Sequence, residues 1–228
     1  MLTFLNVINI MLITRTNYFL ELVTNILLIR GEGMKIKNLE VYEKCLIVVD
    51  MVNGFVREGV LHDEAIAKTI PRQIKLIREY QKEGELVVFI KDSHNVDAVE
   101  FRRFGNTKHC LAGSHESELV DELKEFEDQG NTISIKKNST SFMEAEEFRS
   151  LISSLKGLKE VDMVGCCTDV CVCNGAMALA NYFDQHNRDV SITVYEDGVE
   201  TYDSPTHNRE EYSKAAKVLM KQQGINFK

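Results

Sequence analysis

The sequence is poor in several residue types, and each shortage excludes a class of protein. It has no tryptophan in 228 residues and only 2 prolines and 13 glycines, which excludes collagen-like and low-complexity architectures. Basic residues are outnumbered, with 27 Lys and Arg against 35 Asp and Glu, and the formal charge of −8 argues against a nucleic-acid or anionic-membrane partner. The hydrophobic fraction of 44% excludes a disordered chain and is ample for a buried core.

The first 33 residues differ from the rest of the chain. They hold 19 apolar side chains and four charged ones, with no Ala, Lys or Asp. The uncharged runs 1–14 and 22–29 are shorter than the roughly 20 residues that a membrane span needs, and no cleavage site indicates a secretory signal. We expect a mis-assigned start, with translation beginning at Met34, or else an amphipathic segment. N-terminal sequencing of the native protein distinguishes the two.

From residue 45 onward, short apolar runs alternate with longer amphipathic stretches. The continuous runs Cys45–Val49 and Leu86–Ile90 predict strands that are covered on both faces. The other predicted strands lie at 131–136, 161–164 and 190–195. The predicted helices lie at 63–83, 115–128, 144–155, 169–187 and 206–223. Strands that alternate with crossover helices predict one α/β domain, a three-layer αβα arrangement with a doubly wound, mostly parallel sheet. Residues 92–114 lack periodicity and are expected to form a functional loop.

Chemically active side chains follow these strands. In chain order the first four strands end in Asp50, Lys91-Asp92, Lys136 and Gly165-Cys166-Cys167. Because ligands bind beyond the carboxyl ends of parallel strands, we expect a carboxylate, an ammonium group and a thiol to meet at one edge of the sheet. Each residue alone also has a simpler interpretation, as a turn cap, a solvated lysine or a packing cysteine.

Cys171 is the candidate nucleophile because the run 168–171 leads from the fourth strand into a helix. The first turn of a helix favours a thiolate, Lys136 would add positive charge, and Asp50 could accept the proton. Backbone amides at such a turn are suitably placed for an oxyanion hole. These residue types predict acyl transfer through a covalent thioester.

The six cysteines leave other interpretations open, since four of them lie between residues 166 and 173. A disulfide framework is not favoured in a chain of this length. A structural metal cluster on Cys166, Cys167, Cys171 and Cys173 is the alternative, although zinc sites favour well-separated cysteine pairs. Cys45, Cys166 and Cys173 are expected to be packing residues.

Three motifs resemble the isochorismatase-like cysteine hydrolase family over nearly all of residues 45–223. They are the run 48–55 with Asp50, Lys136 followed by Thr140-Ser141-Phe142, and the run 165–172 with Cys171. The resemblance implies a single cysteine hydrolase domain over 34–228, with Asp50 as base, Lys136 as charge partner and Cys171 as nucleophile. It also implies a cis peptide bond between Cys166 and Cys167, oxyanion donors at the amides of Cys167 and Cys171, and a substrate contact at Phe55.

A metal site is predicted in the loop after the second strand. Asp92, His94 and His109 offer one carboxylate and two imidazoles, a set that suits Zn²⁺, Fe²⁺ or Mn²⁺ with open positions. Their order resembles the metal motif of nicotinamidases, and the resemblance implies Glu100 as a fourth ligand. The chain departs from that pattern at Gly54, at Ser93 and at residues 106–108, which lack the usual acidic, tryptophan and proline residues.

The predicted function is therefore metal-assisted hydrolysis of a small amide, with nicotinamide as substrate and nicotinate and ammonia as products. The alternatives are another hydrolase of the same family, acting on N-carbamoyl amides or isochorismate, and a catalytically silent metal-binding or interaction protein. We expect one divalent metal ion as cofactor. We expect no nucleic-acid or membrane partner, a possible homo-oligomer, and a cytoplasmic location, where thiols stay reduced.

Overall fold

A parallel sheet forms the centre of the fold. The computed structural model describes residues 39–127 and 129–228, so the predictions for residues 1–33 lie outside the described residues. The strands are β1 (Lys44–Val49), β2 (Leu86–Asp92), β3 (Thr132–Lys137), β4 (Glu160–Cys166), β5 (Ser191–Glu200) and β6 (Asn226–Phe227). Their order across the sheet is β3-β2-β1-β4-β5-β6, and every neighbouring pair is parallel.

Helices connect the strands in the described part of the chain. They are α1 (Asn53–Val56), α2 (Glu64–Ala67), α3 (Ile70–Glu83), α4 (Glu100–Arg103), α5 (Asp121–Glu127), α6 (Glu146–Ser154), α7 (Cys173–Gln185) and α8 (Arg209–Gln222). Short 3₁₀ turns occur at Leu39–Val41, His115–Ser117 and Phe142–Glu144, and a π-helical turn at Thr168–Val172 leads into α7. None of the described helices is long and apolar enough to cross a membrane.

The apolar runs explain the central strands. All five residues of Cys45–Val49 are buried, as are the five of Leu86–Ile90, so β1 and β2 are covered on both faces. The helix α3 turns Leu76, Ile77 and Tyr80 towards this core and ends at Gly84, whose φ of 77° is the usual left-handed helix stop.

The predicted α/β sheet is confirmed, with differences at the element ends. The predicted helix 63–83 is two helices, because Thr69 and Pro71 start a new helix at Ile70. The predicted helix 115–128 is a 3₁₀ turn followed by α5, and the loop 92–114 contains the short helix α4. Like α4, the helix α1 and the two-residue edge strand β6 were not predicted, because each is too short to give a periodic pattern.

The order of the strands reverses between β1 and β4, which positions the site. Val49 at the end of β1 pairs with Gly165 of β4. A Cβ on Gly165 would lie 2.0 Å from the carbonyl oxygen of Val49, and its φ is 118°, so only glycine fits there. The chain segments after β1 and β4 are thereby brought side by side at the switch point where α/β proteins bind ligands.

Candidate active site

A buried lysine joins the carboxylates and the thiol at the carboxyl edge of the sheet. The Nζ atom of Lys137 lies 2.7 Å from Oδ1 of Asp92 and 2.9 Å from Oδ2 of Asp50. The same atom donates to Sγ of Cys171 at 3.5 Å. Asp50 and Asp92 are at most 1% exposed, Lys137 is 3% exposed and Cys171 is 5% exposed. Four polar groups from four chain segments therefore share one deeply buried site.

The lysine of this site is Lys137, so the sequence prediction of Lys136 is corrected by one residue. The register of β2 and β3 pairs Asp92 with Lys137 and Lys91 with Lys136. Because successive side chains of a strand point to opposite faces, a shift of one residue exchanges the two lysines. Lys136 is exposed, whereas Lys137 points to the same side as Asp92.

The charges around Lys137 determine which of its neighbours are ionised. Burial by itself lowers the pKa of Lys137, but the charges of Asp50 and Asp92 outweigh it and raise that pKa well above its usual value. Burial raises the pKa of Asp92, but Lys137 and then the two histidines lower it below its usual range. Burial raises the pKa of Asp50 to about 6, although Lys137 opposes the rise. Asp50 is therefore the carboxylate of the site that can exchange a proton near neutral pH.

Cys171 lies in the π-helical turn Thr168–Val172, which we call the nucleophile turn. Burial raises the pKa of its thiol well above the usual value, with Lys137 acting in the opposite direction. A hydrogen bond with the Cys171 side chain in turn lowers the pKa of Asp50. The resting form is thus a neutral thiol beside a carboxylate that can take its proton, as in other activated nucleophiles.

The peptide bond between Cys166 and Cys167 is cis. The thiol of Cys166 donates to the backbone carbonyl of Asp50 at 3.1 Å, and the side chain of Cys167 lines the pocket beside Cys171. The carbonyl of Cys167 accepts from the amides of Val170 and Val172, which holds the nucleophile turn against the end of β4. The oxyanion role of the Cys167 and Cys171 amides stays a prediction.

The side chains of Asp92, His94 and His109 converge as a possible metal site. One donor atom from each lies within 4.8 Å of the other two, and all three residues are buried. Nε2 of His94 lies 2.9 Å and Nε2 of His109 lies 3.5 Å from Oδ2 of Asp92.

The outer contacts of the two histidines fit a bound cation. Nδ1 of His94 lies 3.1 Å from Oδ1 of Asn138, and Nδ1 of His109 lies 3.1 Å from the carbonyl oxygen of Thr107. A carbonyl only accepts, so each Nδ1 carries a proton, and in the neutral ring Nε2 keeps a lone pair that can bind a cation. A divalent metal ion placed between the two Nε2 nitrogens and Oδ2 of Asp92 would be bound by all three atoms, so these residues suit such an ion.

Glu100 and Phe55 lie at the rim of this cluster. Oε1 of Glu100 is 3.7 Å from Nε2 of His94, but Glu100 is not one of the three converging donors. Its role as a fourth ligand stays a prediction. The ring of Phe55 packs 5.7 Å from that of His109, and both rings line the pocket that contains Cys171.

Comparisons with known proteins identify the family of this fold. Residues 44–225 match the family model described as the isochorismatase domain. The chain belongs to the isochorismatase family. It is 32% identical over 180 residues to nicotinamidase 1 of Arabidopsis thaliana, covering 71% of each chain.

Two solved structures share the isochorismatase-family fold and are 26% identical to this chain. The pyrazinamidase of Pyrococcus horikoshii in complex with zinc has a TM-score of 0.64 and covers 82% of this chain and 98% of its own. The N-carbamoylsarcosine amidase of Thermoplasma acidophilum has a TM-score of 0.65, with coverages of 82% and 95%. The family predicted from the three motifs is confirmed.

The pocket of this isochorismatase-family chain includes residues that the motifs did not identify. It measures about 420 Å³ with its open mouth, and aromatic rings of Phe104 and Tyr202 join Phe55 in its walls, together with Leu61, Thr140 and Val170. Leu61, Phe104 and Tyr202 lie in connecting segments, where the sequence has no periodicity to indicate a direction. For Lys137 a signal did exist, because alternation places it on the same face as Ile133 and Ile135.

Gly54, one of the departures from the family pattern, is closely packed. A Cβ on Gly54 would lie 2.6 Å from Sγ of Cys110 and 3.1 Å from Cβ of Glu116. The Glu116 carboxylate accepts from the amide of Cys110 at 2.8 Å, and Cys110 has a φ of 44°. Glu116 thus packs against Gly54 and holds the residue that follows His109.

Proposed function

We propose that this protein is a metal-assisted cysteine amidohydrolase that converts nicotinamide to nicotinate and ammonia. The observation that carries the proposal is the contact of one lysine ammonium group with Asp50, Asp92 and Cys171. That contact joins a nucleophile and its base to a carboxylate that also belongs to the possible metal site.

The first half of the reaction forms a thioester. The Cys171 thiol gives its proton to Asp50 as the sulfur attacks the amide carbon, and the carbonyl electrons move to the oxygen. The ammonium group of Lys137 stabilises the thiolate as it forms. The amides of Cys167 and Cys171 stabilise the oxyanion. When the carbon–nitrogen bond breaks, Asp50 returns the proton to the leaving nitrogen and ammonia departs.

The second half releases the acid. Asp50 takes a proton from a water molecule that attacks the thioester carbon, the carbon–sulfur bond breaks, and the sulfur recovers the proton. The net reaction consumes one water and yields the carboxylic acid and ammonia. Both halves need Asp50 ionised at their start, which its pKa of about 6 permits at neutral pH.

The metal ligands are Asp92, His94 and His109, with Glu100 as a possible fourth. When bound, a divalent cation such as Zn²⁺, Fe²⁺ or Mn²⁺ supplies Lewis acidity and open positions for a donor nitrogen of the substrate. Asn138 and Thr107 orient the two histidines for this purpose. Phe55, Phe104 and Tyr202 supply flat apolar surfaces for the ring of the substrate.

A second candidate is hydrolysis of an N-carbamoyl amide, which the likeness to the N-carbamoylsarcosine amidase supports. The two candidates differ in what the substrate needs, because a pyridine nitrogen can bind a cation and a carbamoyl group has no such ring. The Asp-His-His cluster therefore favours nicotinamide. For either substrate, we propose a cytoplasmic enzyme whose six cysteines, all free here, stay reduced.

The test is an ammonia-release assay on the zinc-loaded protein with nicotinamide, pyrazinamide and N-carbamoylsarcosine side by side. We expect turnover of the two ring amides and a loss of at least about 10³-fold in Cys171→Ala, because the nucleophile is removed. Cys173→Ala, two residues further on, is the matched control and keeps wild-type turnover. Ammonia from the carbamoyl compound alone would favour the second candidate, and ammonia from none of them would reject both.

A further inference from the structure

A buried histidine contacts the nucleophile turn through Asp169. Nε2 of His207 lies 2.8 Å from Oδ2 of Asp169, and Asp169 is two residues before Cys171 in that turn. The side chains of His207 and Asp169 are 7% and 9% exposed. Neither residue is one of the catalytic residues that the three motifs imply. Neither belongs to the cluster of Asp92, His94 and His109.

Aromatic rings fix the orientation of the His207 imidazole. The Tyr202 ring stacks on one face at 4.0 Å with an interplanar angle of 13°, and the Tyr212 ring lies 3.9 Å away at 32°. The second ring nitrogen, Nδ1, lies 3.1 Å from the backbone carbonyl of Tyr202. The imidazole is therefore held between two rings and two oxygen atoms, which leaves it little freedom to turn.

The segment that carries these rings is itself attached to the fold. The Nε group of Arg209 donates to the carbonyl of Thr201 at 2.9 Å, and the amide of Arg209 donates to Oδ1 of Asp203 at 3.0 Å. The Arg209 guanidinium also pairs with Asp63, which accepts from the amide of Asp203. Because Tyr202 lines the substrate pocket, the segment from Thr201 to Arg209 connects a fixed pocket wall with the nucleophile turn.

We propose that His207 is a positioning residue that holds the nucleophile turn through Asp169. Its Nε2 atom contacts the Asp169 carboxylate at 2.8 Å, and this contact sets the position of Cys171 relative to Asp50 and Lys137. The inference deepens the proposed function, since it takes Cys171 as the nucleophile. A displacement of about 1 Å at a reacting atom lowers a rate by about 10²-fold, so loss of the contact acts on kcat more than on KM.

Three variants separate this role from simple packing. His207→Ala removes both polar contacts, His207→Gln keeps an N–H group near the Nε2 position, and His207→Asn keeps one near the Nδ1 position. His186→Ala is the matched control, because His186 is exposed and its ring contacts the carbonyl and the ring of Tyr182 at the end of α7. Asp169→Ala tests whether the effect passes through the carboxylate.

The main measurement is the rate at which iodoacetamide alkylates Cys171 in the zinc-loaded full chain, followed on the Cys171 peptide by mass spectrometry. We expect His207→Ala to lower this rate at least tenfold, and kcat for nicotinamide by about 10-fold to 100-fold, with KM within twofold. Asp169→Ala lowers the alkylation rate by the same factor. The double variant with both His207→Ala and Asp169→Ala is alkylated no more slowly than either single variant. His207→Gln restores most of the rate, and His207→Asn does not.

Two results would overturn the proposal. One is a wild-type alkylation rate in His207→Ala; the other is rescue by His207→Asn but not by His207→Gln, which would assign the role to the Tyr202 contact. If His207→Ala does not fold, the alkylation rates of His207→Gln and His207→Asn show which of the two contacts of His207 matters. Alkylation needs no substrate, so the test still reads His207 if no amide is hydrolysed, an outcome that would reject only the proposed function.

Discussion

At the scale of the residue, the site depends on one cation shared by two buried carboxylates. Lys137 contacts Asp50 and Asp92 at 2.9 and 2.7 Å, and no part of these contacts is open to solvent. A buried charge that loses its partner is costly, so Lys137 has a structural and a chemical role at once.

Lys137→Met and Lys136→Met form a matched pair that tests the assignment of the lysine. We expect Lys137→Met to lower turnover by about 10²-fold or more, because the forming thiolate and the two carboxylates lose their cation. We also expect it to lower the free energy of unfolding by about 3–5 kcal/mol. Lys136→Met, on the exposed face, changes neither. Urea unfolding and the ammonia assay measure both effects; a larger loss in Lys136→Met would contradict the corrected register.

The pH dependence of the site follows from Asp50. Burial raises its pKa to about 6, and only its ionised form can accept the thiol proton. We expect kcat/KM and the alkylation rate of Cys171 to be constant above this value and to fall as the pH drops through about 6. In Asp50→Asn we expect a low alkylation rate that no longer changes as the pH passes through about 6. An unchanged step in Asp50→Asn would show that another group is responsible.

At the scale of the element, the short helix α1 and the loop after β2 fit together through Gly54. The helix approaches the loop so closely that a methyl group on Gly54 would collide with Cys110, the residue after His109. The place of α1 therefore constrains the residue next to His109, a proposed metal ligand.

Gly54→Ala tests this contact. We expect the substitution to lower the free energy of unfolding by about 1–3 kcal/mol, because it overfills a packed interior. Cys110→Ala removes the sulfur that the new methyl group meets. The double variant therefore loses less free energy of unfolding, by at least about 0.5 kcal/mol, than the two single losses add up to. If the two losses measured by urea unfolding are strictly additive, the contact with Cys110 is not the cause of the destabilisation by Gly54→Ala.

At the scale of the whole molecule, the proposed metal ligands join the end of β2 to a residue 17 positions later. A cation that binds the folded chain and not the unfolded one stabilises the fold by mass action. Zinc at about 100 times its dissociation constant adds about 2.7 kcal/mol, which raises the Tm by about 5–10 °C.

Histidine variants provide the controls for the rise of Tm with zinc. We expect Tm to rise with zinc in the wild type and in His186→Ala, and to stay constant in His94→Ala and His109→Ala. Elemental analysis of the same proteins measures the bound metal. A full zinc shift in both histidine variants would mean that the ion binds elsewhere in the chain.

The sequence by itself determined the fold class and most of the site's membership. Continuous β-branched runs become buried strands wherever helices cover both faces, and the residues that end parallel strands must meet at one edge. Asp50, Asp92 and Cys171 were found in this way, and the three motifs indicated the family. The Asp-His-His cluster followed from residue type and order.

Tertiary structure alone decided what depends on register and on distant contacts. Lys136 and Lys137 are chemically equal, and although alternation places Lys137 on the face of Ile133 and Ile135, the pairing of Asp92 with Lys137 across two strands shows which of them reaches the site. The contact of His207 with Asp169 spans 38 residues and joins the starts of two separate predicted helices, so no local pattern predicts it. Local patterns report which face of an element is buried, whereas the partner that a side chain meets is set by how the elements pack.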